Sequence, residues 1–262
     1  MRPRTERKRF SRNAAQVLLA VACLSASALF TFAADSVSRV VLKPEVSKSH
    51  REELASCLRA ITGLTELKFD ANGSLRLDGE PEKRGSESAR TLLSQALAGP
   101  NFIVIEDASS RSDVGFARVV RGRWLLGDST NPPAYVVLID FTDFHRLSGD
   151  AEARAAFDVG WGLLHEVDHV VRDSEDAQDQ TGIGECEDHI NRMRLEVGLP
   201  IRVDYFFSRT YVKADANFSA RFVRLSFERR DDLSLQKKRY WLVWDATTVG
   251  GLLGDGQRAL VR

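Results

Sequence analysis

Histidine is scarce in this chain, with five among 262 residues, and cysteine is scarcer, with three. No two cysteines form a Cys-x-x-Cys pair, which excludes a thiol-built zinc cluster or redox motif of that spacing. Nothing resembles a glycine-rich phosphate loop or a Ser-His-Asp nucleophile site. Internal repeats and low-complexity tracts are absent, which excludes solenoids and disordered arrays. Net charge is absent too, but the balance is uneven. Six of the 37 basic residues and one of the 37 acidic ones (Glu6) lie in residues 1–33. The remainder holds 31 basic and 36 acidic residues, a net charge of −5. A mildly acidic body argues against nucleic acid as a partner.

The chain is long enough for one medium domain with a real core, at 43% hydrophobic residues. Its start does not belong to that core. Arg2, Arg4, Arg7, Lys8, Arg9 and Arg12 precede an apolar stretch from Ala14 to about Ala33, and Thr31-Phe32-Ala33 is a tolerable small-residue cleavage site. This order predicts an export signal over residues 1–33 and a periplasmic or secreted protein. The alternative is an uncleaved anchor over residues 14–33, since the stretch approaches membrane-spanning length. Cys57 and Cys186 remain after removal, as a disulfide pair or as two buried thiols.

What is present stands out against that scarcity. Two of the five histidines sit four residues apart in Leu164-His165-Glu166-Val167-Asp168-His169. On a helix such residues share one face, so both imidazoles can point at one ion. Glu166 can then reach a water there as general base. Phe157, Trp161, Leu164, Val167 and Val171 are apolar at helical spacing, as expected of a helix that is buried on one side. Asp150 is a candidate cap for it.

Around this helix the pattern predicts an α+β domain. Val40 to Leu42 can add a strand. Ser49-His50-Arg51-Glu52 reads as a capping box for a helix ending at Gly63. A hairpin follows over 67–77 with Asn72-Gly73 at its turn. A helix is expected over 88–98, and strands at Phe102–Ile105, Val114–Val120, Arg123–Leu126 and Tyr135–Ile139. Asn131-Pro132-Pro133 is a break. The polar stretch from Arg172 to Gly182 reads as a solvated loop without the spacing of a calcium loop. Gly184 opens a helix with an acidic first turn, ended by Gly198-Leu199-Pro200. Strands over 220–228 and 239–244, with Asp231 to Ser234 between them, predict a C-terminal hairpin in a β-rich extension over 203–262.

A catalytic zinc needs a third protein ligand. Glu185 and Glu187 both qualify and flank a stripe of Cys186, Ile190, Met193 and Val197, so helix geometry leaves the choice open. Here the chain resembles the zincin metallopeptidases. The likeness is to the gluzincin arrangement, in which a His-Glu-x-x-His helix is followed by a helix bearing a glutamate. The segment from Gly184 to Asn191 also resembles a stretch of poorly characterised bacterial metallopeptidases that carry Gly, an acidic residue, a spacer and Asn. The resemblance spans roughly residues 155–202. It implies a zincin-like domain over 34–262, with a mixed sheet packed on the two helices. It implies Zn2+ held by His165, His169 and Glu185, with Glu166 as general base in peptide-bond hydrolysis. The usual supporting acid of gluzincins has no clear counterpart. Tyr205, Tyr211 and His189 are candidates to stabilise an oxyanion, and Tyr135–Ile139 is a candidate edge for strand addition by a peptide. The alternatives are a non-catalytic binding module of the same fold and a metal hydrolase with a non-peptide substrate. Contact with a membrane is expected only if the amino-terminal segment stays uncleaved.

Overall fold

A computed structural model describes residues 38–109, 111–122, 134–179, 182–206, 208–209, 222–230, 236–246 and 248–249. The export signal, the Arg123–Leu126 strand, the Asn131–Pro133 break, the Asp231–Ser234 turn and Tyr211 lie outside these residues. In chain order the elements are β1 (Val40–Leu42), α1 (Lys48–Thr62), β2 (Lys68–Phe69), β3 (Leu75–Arg76), α2 (Glu87–Ala98), β4 (Phe102–Asp107), β5 (Ala117–Gly122) and β6 (Ala134–Ile139). There follow α3 (Phe141–His145), β7 (Ser148–Gly149), α4 (Ala151–Ala155), α5 (Val159–Arg172), α6 (Glu185–Glu196), β8 (Ile201–Arg202), β9 (Ser208–Arg209), β10 (Phe222–Arg230) and β11 (Lys237–Asp245). The architecture is α+β.

The main sheet has the order β1-β4-β6-β5. β1, β4 and β6 run parallel, with α1 and α2 between β1 and β4 in the chain, and β5 is antiparallel to β6. Tyr135–Ile139 is therefore an inner strand with both neighbours in place. Among the described residues the edge lies at β5, which pairs with β6 alone. A parallel strand with helices before it reads as a continuous apolar run, and β6 does so because it is interior.

One large core joins β1, β4 and β6 to α1, α2, α5 and α6, with Leu54, Leu58, Leu92, Leu93, Ile103 and Val137 fully enclosed. Each such leucine contributes about 1.5–3 kcal/mol by burial. The C-terminal strands form a second sheet, β7-β11-β10-β8, with β9 also on β10. Its own cluster includes Leu225, Phe227, Tyr240 and Leu242.

Two caps differ from the expected ones. α1 starts earlier, because the Ser47 hydroxyl accepts the His50 N–H and takes the role expected of Ser49. Asp150 does not cap the histidine helix. It precedes the short α4 and accepts the Trp241 N–H at 2.8 Å, which ties α4 to β11. The chain breaks at Ala156-Phe157, and Asp158 caps α5 by accepting the Gly160 and Trp161 N–H groups. Cys57 and Cys186 are separate free thiols.

Candidate metal centre

α5 is wedged between helices and sheet. Trp161, Leu163, Leu164, Val167 and Val170 bury its apolar side. Gly160 lets it approach α1 closely, since a Cβ there would lie 2.8 Å from the Cys57 Cβ. This packing fixes the rotation of the helix, and with it the direction of the histidines. The imidazoles of His165 and His169 lie 4.8 Å apart, centroid to centroid.

The segment after α5 folds back over them. Asp173 turns the chain in the left-handed region at φ 55°. Ser174 Oγ then donates to Asp168 Oδ2 at 2.8 Å. The Cys186 N–H donates to the Glu175 carbonyl, and Asp176 forms a bridge with Gly184. These backbone ties place the Asp176 carboxylate in front of the histidines. Its Oδ1 is 3.1 Å from His165 Nε2 and 3.3 Å from His169 Nε2. The stretch expected to be a solvated loop thus supplies a buried contact, while the Asp176 side chain keeps 40% of its exposure.

The tautomer of His169 follows from its neighbours. Nδ1 lies 2.8 Å from the Ser174 carbonyl, which can only accept, so Nδ1 carries the proton and Nε2 faces Asp176. A histidine held in this way is prepared to give Nε2 to an ion. His165 has a matching arrangement. Its Nδ1 lies 3.5 Å from Glu187 Oε2, and its Nε2 also faces Asp176.

Glu187 is fully enclosed on α6 and held from behind. Its carboxylate pairs with Arg194, and with Arg202 at 2.9 Å. Asn191 joins the same network through Arg194 at 2.8 Å. Burial opposes the charge on Glu187, yet the two guanidiniums, and then His165, hold its carboxyl well below the usual range. Glu187 thus backs His165 as a buried, ion-paired carboxylate. Glu185, two residues earlier, is exposed and lies outside the group that faces the histidines.

The donor atoms of His165, His169, Asp176 and Cys186 all lie within 4.8 Å of one another, so this group can hold a metal ion. Its donor chemistry, two imidazoles with a carboxylate and a thiol, suits a borderline-soft divalent ion. Charges respond accordingly. Burial pulls the His169 imidazole down, but Asp176 and Cys186 raise it to about 11. His165 is likewise lifted well above its ordinary value against the effect of burial, by Asp176, Cys186 and Glu187. Burial works against the Asp176 carboxylate, and the two histidines nevertheless lower it. Imidazole and carboxylate thus each favour the charged form of the other.

Glu166 points to the sheet side. Its Oε2 accepts the Val119 N–H of β5 at 2.8 Å. Burial raises its pKa, partly offset by the positive charges of His165 and His169. Of the oxyanion candidates, Tyr205 is at the site: its hydroxyl bonds to Asp176 and its ring stacks at 6.4 Å from that of His165. His189 points elsewhere, with Nδ1 2.8 Å from Asp168 Oδ2.

Two group members carried no readable signal. Asp176 sits among Asp173, Glu175 and Asp179 in a stretch without periodicity. Cys186 fits an apolar stripe equally well. A scan of protein-family models, a search of curated proteins and a search of solved structures found no match.

Proposed function

We propose that this chain is an exported, zincin-like, zinc-dependent peptidase whose metal is held by His165, His169 and Asp176. One observation carries the reading: two Nε2 atoms and a carboxylate converge on one point, with a buried glutamate one residue beyond the first histidine. Asp176 takes the place first expected of Glu185, which is exposed. When bound, zinc supplies a Lewis acid that polarises a carbonyl and activates water.

The chain supplies the rest. Glu166 is anchored through Oε2 to the Val119 N–H, and its other oxygen takes a proton from the attacking water and passes it to the leaving nitrogen. A carboxyl raised by burial suits that task, because a base works best with a pKa near the working pH. The Tyr205 hydroxyl, which bonds to Asp176 beside the histidines, is the candidate donor to a developing oxyanion. Among the described residues β5 is an edge of the main sheet beside Glu166, and an extended peptide would add there as a strand. Among the described residues no helix is long and apolar enough to cross a membrane. Export rests on the order of basic, apolar and small residues in 1–33.

The test is metal analysis of the purified chain, followed by a peptide-library digest with and without chelator. One zinc per chain is expected, with cleavage lost on chelation and restored by zinc. Metal-free protein that cannot be loaded, or cleavage indifferent to chelator, would overturn the proposal.

A further inference from the structure

The Cys186 thiol stands beside the two histidines and Asp176, and a three-ligand site leaves it without a role. It is fully enclosed on the first turn of α6. Its Sγ lies 3.4 Å from the His165 carbonyl, a weak hydrogen bond for a thiol. Its position is not free to drift. The Cys186 N–H is bonded to Glu175, the residue before Asp176, and Gly184 bridges to Asp176 itself. One backbone device thus places the carboxylate and the sulfur together. Gly184 makes it feasible at φ 80°, where a Cβ would come within 2.3 Å of the Ala177 nitrogen. Glu187, next in the chain, is turned to the opposite task behind His165.

We infer that Cys186 is a fourth protein donor to the same centre, giving a two-histidine, aspartate and thiolate set that selects thiophilic divalent ions. This rests on the metal-site part of the function proposed above. Binding breaks the S–H bond and forms a sulfur–metal bond, and the proton leaves to solvent; no oxidant or reductant takes part. Four mutually close donors match the number of a tetrahedral site. Sulfur among them disfavours magnesium and calcium, which take oxygen ligands, and favours zinc, cobalt and cadmium. Zinc sites expand to five-coordinate, so a fourth protein donor leaves hydrolysis open.

The experiment loads the full chain with cobalt(II) and reads the near-ultraviolet absorption for a thiolate-to-metal charge-transfer band. The parent should show the band at one cobalt per chain. Cys186→Ser should lose it while still binding one cobalt, and Cys57→Ser and Cys23→Ser should keep it. Cobalt bound by the parent without the band would overturn the inference and leave the three-ligand reading intact. A band that survives in Cys186→Ser would overturn it equally. Failure of the parent to bind cobalt or zinc would overturn both. Should Cys186→Ser fail to fold, the parent's band with cadmium, and its retention in both other cysteine variants, carry the same test.

Discussion

Two carboxylates approach His165 from opposite sides, and their surroundings differ in every respect that decides a role. Behind the ring, Glu187 is on a helix, fully enclosed and locked by Arg194 and Arg202. In front, Asp176 is on a loop, 40% exposed and shared between two imidazoles. A carboxylate already neutralised by two guanidiniums has little to offer a cation. One whose neighbours are neutral-capable histidines has much to offer, because a metal can replace the protons between them. On the proposed reading, the rear acid orients and the front acid binds.

The comparison breaks most visibly at the rear. Glu187→Ala leaves Arg194 buried without its anion, and removing one partner of a buried pair costs about 3–5 kcal/mol. Chemical denaturation should show that loss. A variant as stable as the parent would mean that the guanidiniums find other partners.

A third carboxylate sharpens the contrast. Asp158 is half-buried and, among the described residues, has no guanidinium against it. Burial, against the Trp161 and Gly160 N–H groups, the Cys57 thiol and the more distant charge of Arg194, raises its pKa from 3.8 to about 6. The folded state then binds more protons than the unfolded one between those values, so this group's contribution to stability falls as pH rises from about 4 to 6. Two units correspond to about 3 kcal/mol. Asp158→Asn keeps a capping oxygen and removes the charge. Relative to the parent it should gain stability across that window by up to about 3 kcal/mol. A difference that stays flat between pH 3 and 8 would count against a raised Asp158.

At the front, Asp176→Asn should weaken zinc binding by more than the ~10–100-fold expected for loss of a supporting partner. Its loss of unfolding free energy should be smaller than that of Glu187→Ala, because the Asp176 side chain is 40% exposed and its ion pairs are screened by solvent. Titration calorimetry and denaturation together check this. The reverse pattern, with stability lost and zinc kept, would exchange the roles of the two acids. A milder form of the same loss is expected from Gly184→Ala. It forces a β-carbon into left-handed backbone at a strain of about 1–3 kcal/mol and pushes the Asp176 loop outward. Zinc affinity should fall, and Glu185→Gln, which alters only an exposed residue, should leave it unchanged.

The sequence made the histidine pair legible because four-residue spacing on a helix is local geometry, set by one element. The longer helices and the longer strands were legible for the same reason, whereas α3 and the separation of α4 from α5 were not. Helix caps were less so: Ser47 and Ser49, or Asp150 and Asp158, are equivalent until the chain's break at Ala156-Phe157 is known. The edge strand was misplaced because the apolar run of β6 says that it is buried, not which neighbour covers it. Glu185 and Glu187 could not be separated from spacing alone. What separates them is the pairing of α6 with Arg202 and with its own Arg194, across 7 to 15 residues. Asp176 was hidden furthest, since its place depends on backbone ties to Glu175 and Gly184 that no pattern of side chains announces.

The central claim is that Glu166 works as a base beside the metal and not as one of its ligands. Its direct test is hydrolysis by the zinc-loaded Glu166→Gln variant on peptides that the parent cleaves, with zinc content measured on the same sample. Zinc should remain near one per chain while turnover falls by ~10²-fold or more, the scale of general-base catalysis. Undiminished turnover, or a parent that binds zinc and cleaves no peptide in a broad library, would contradict it.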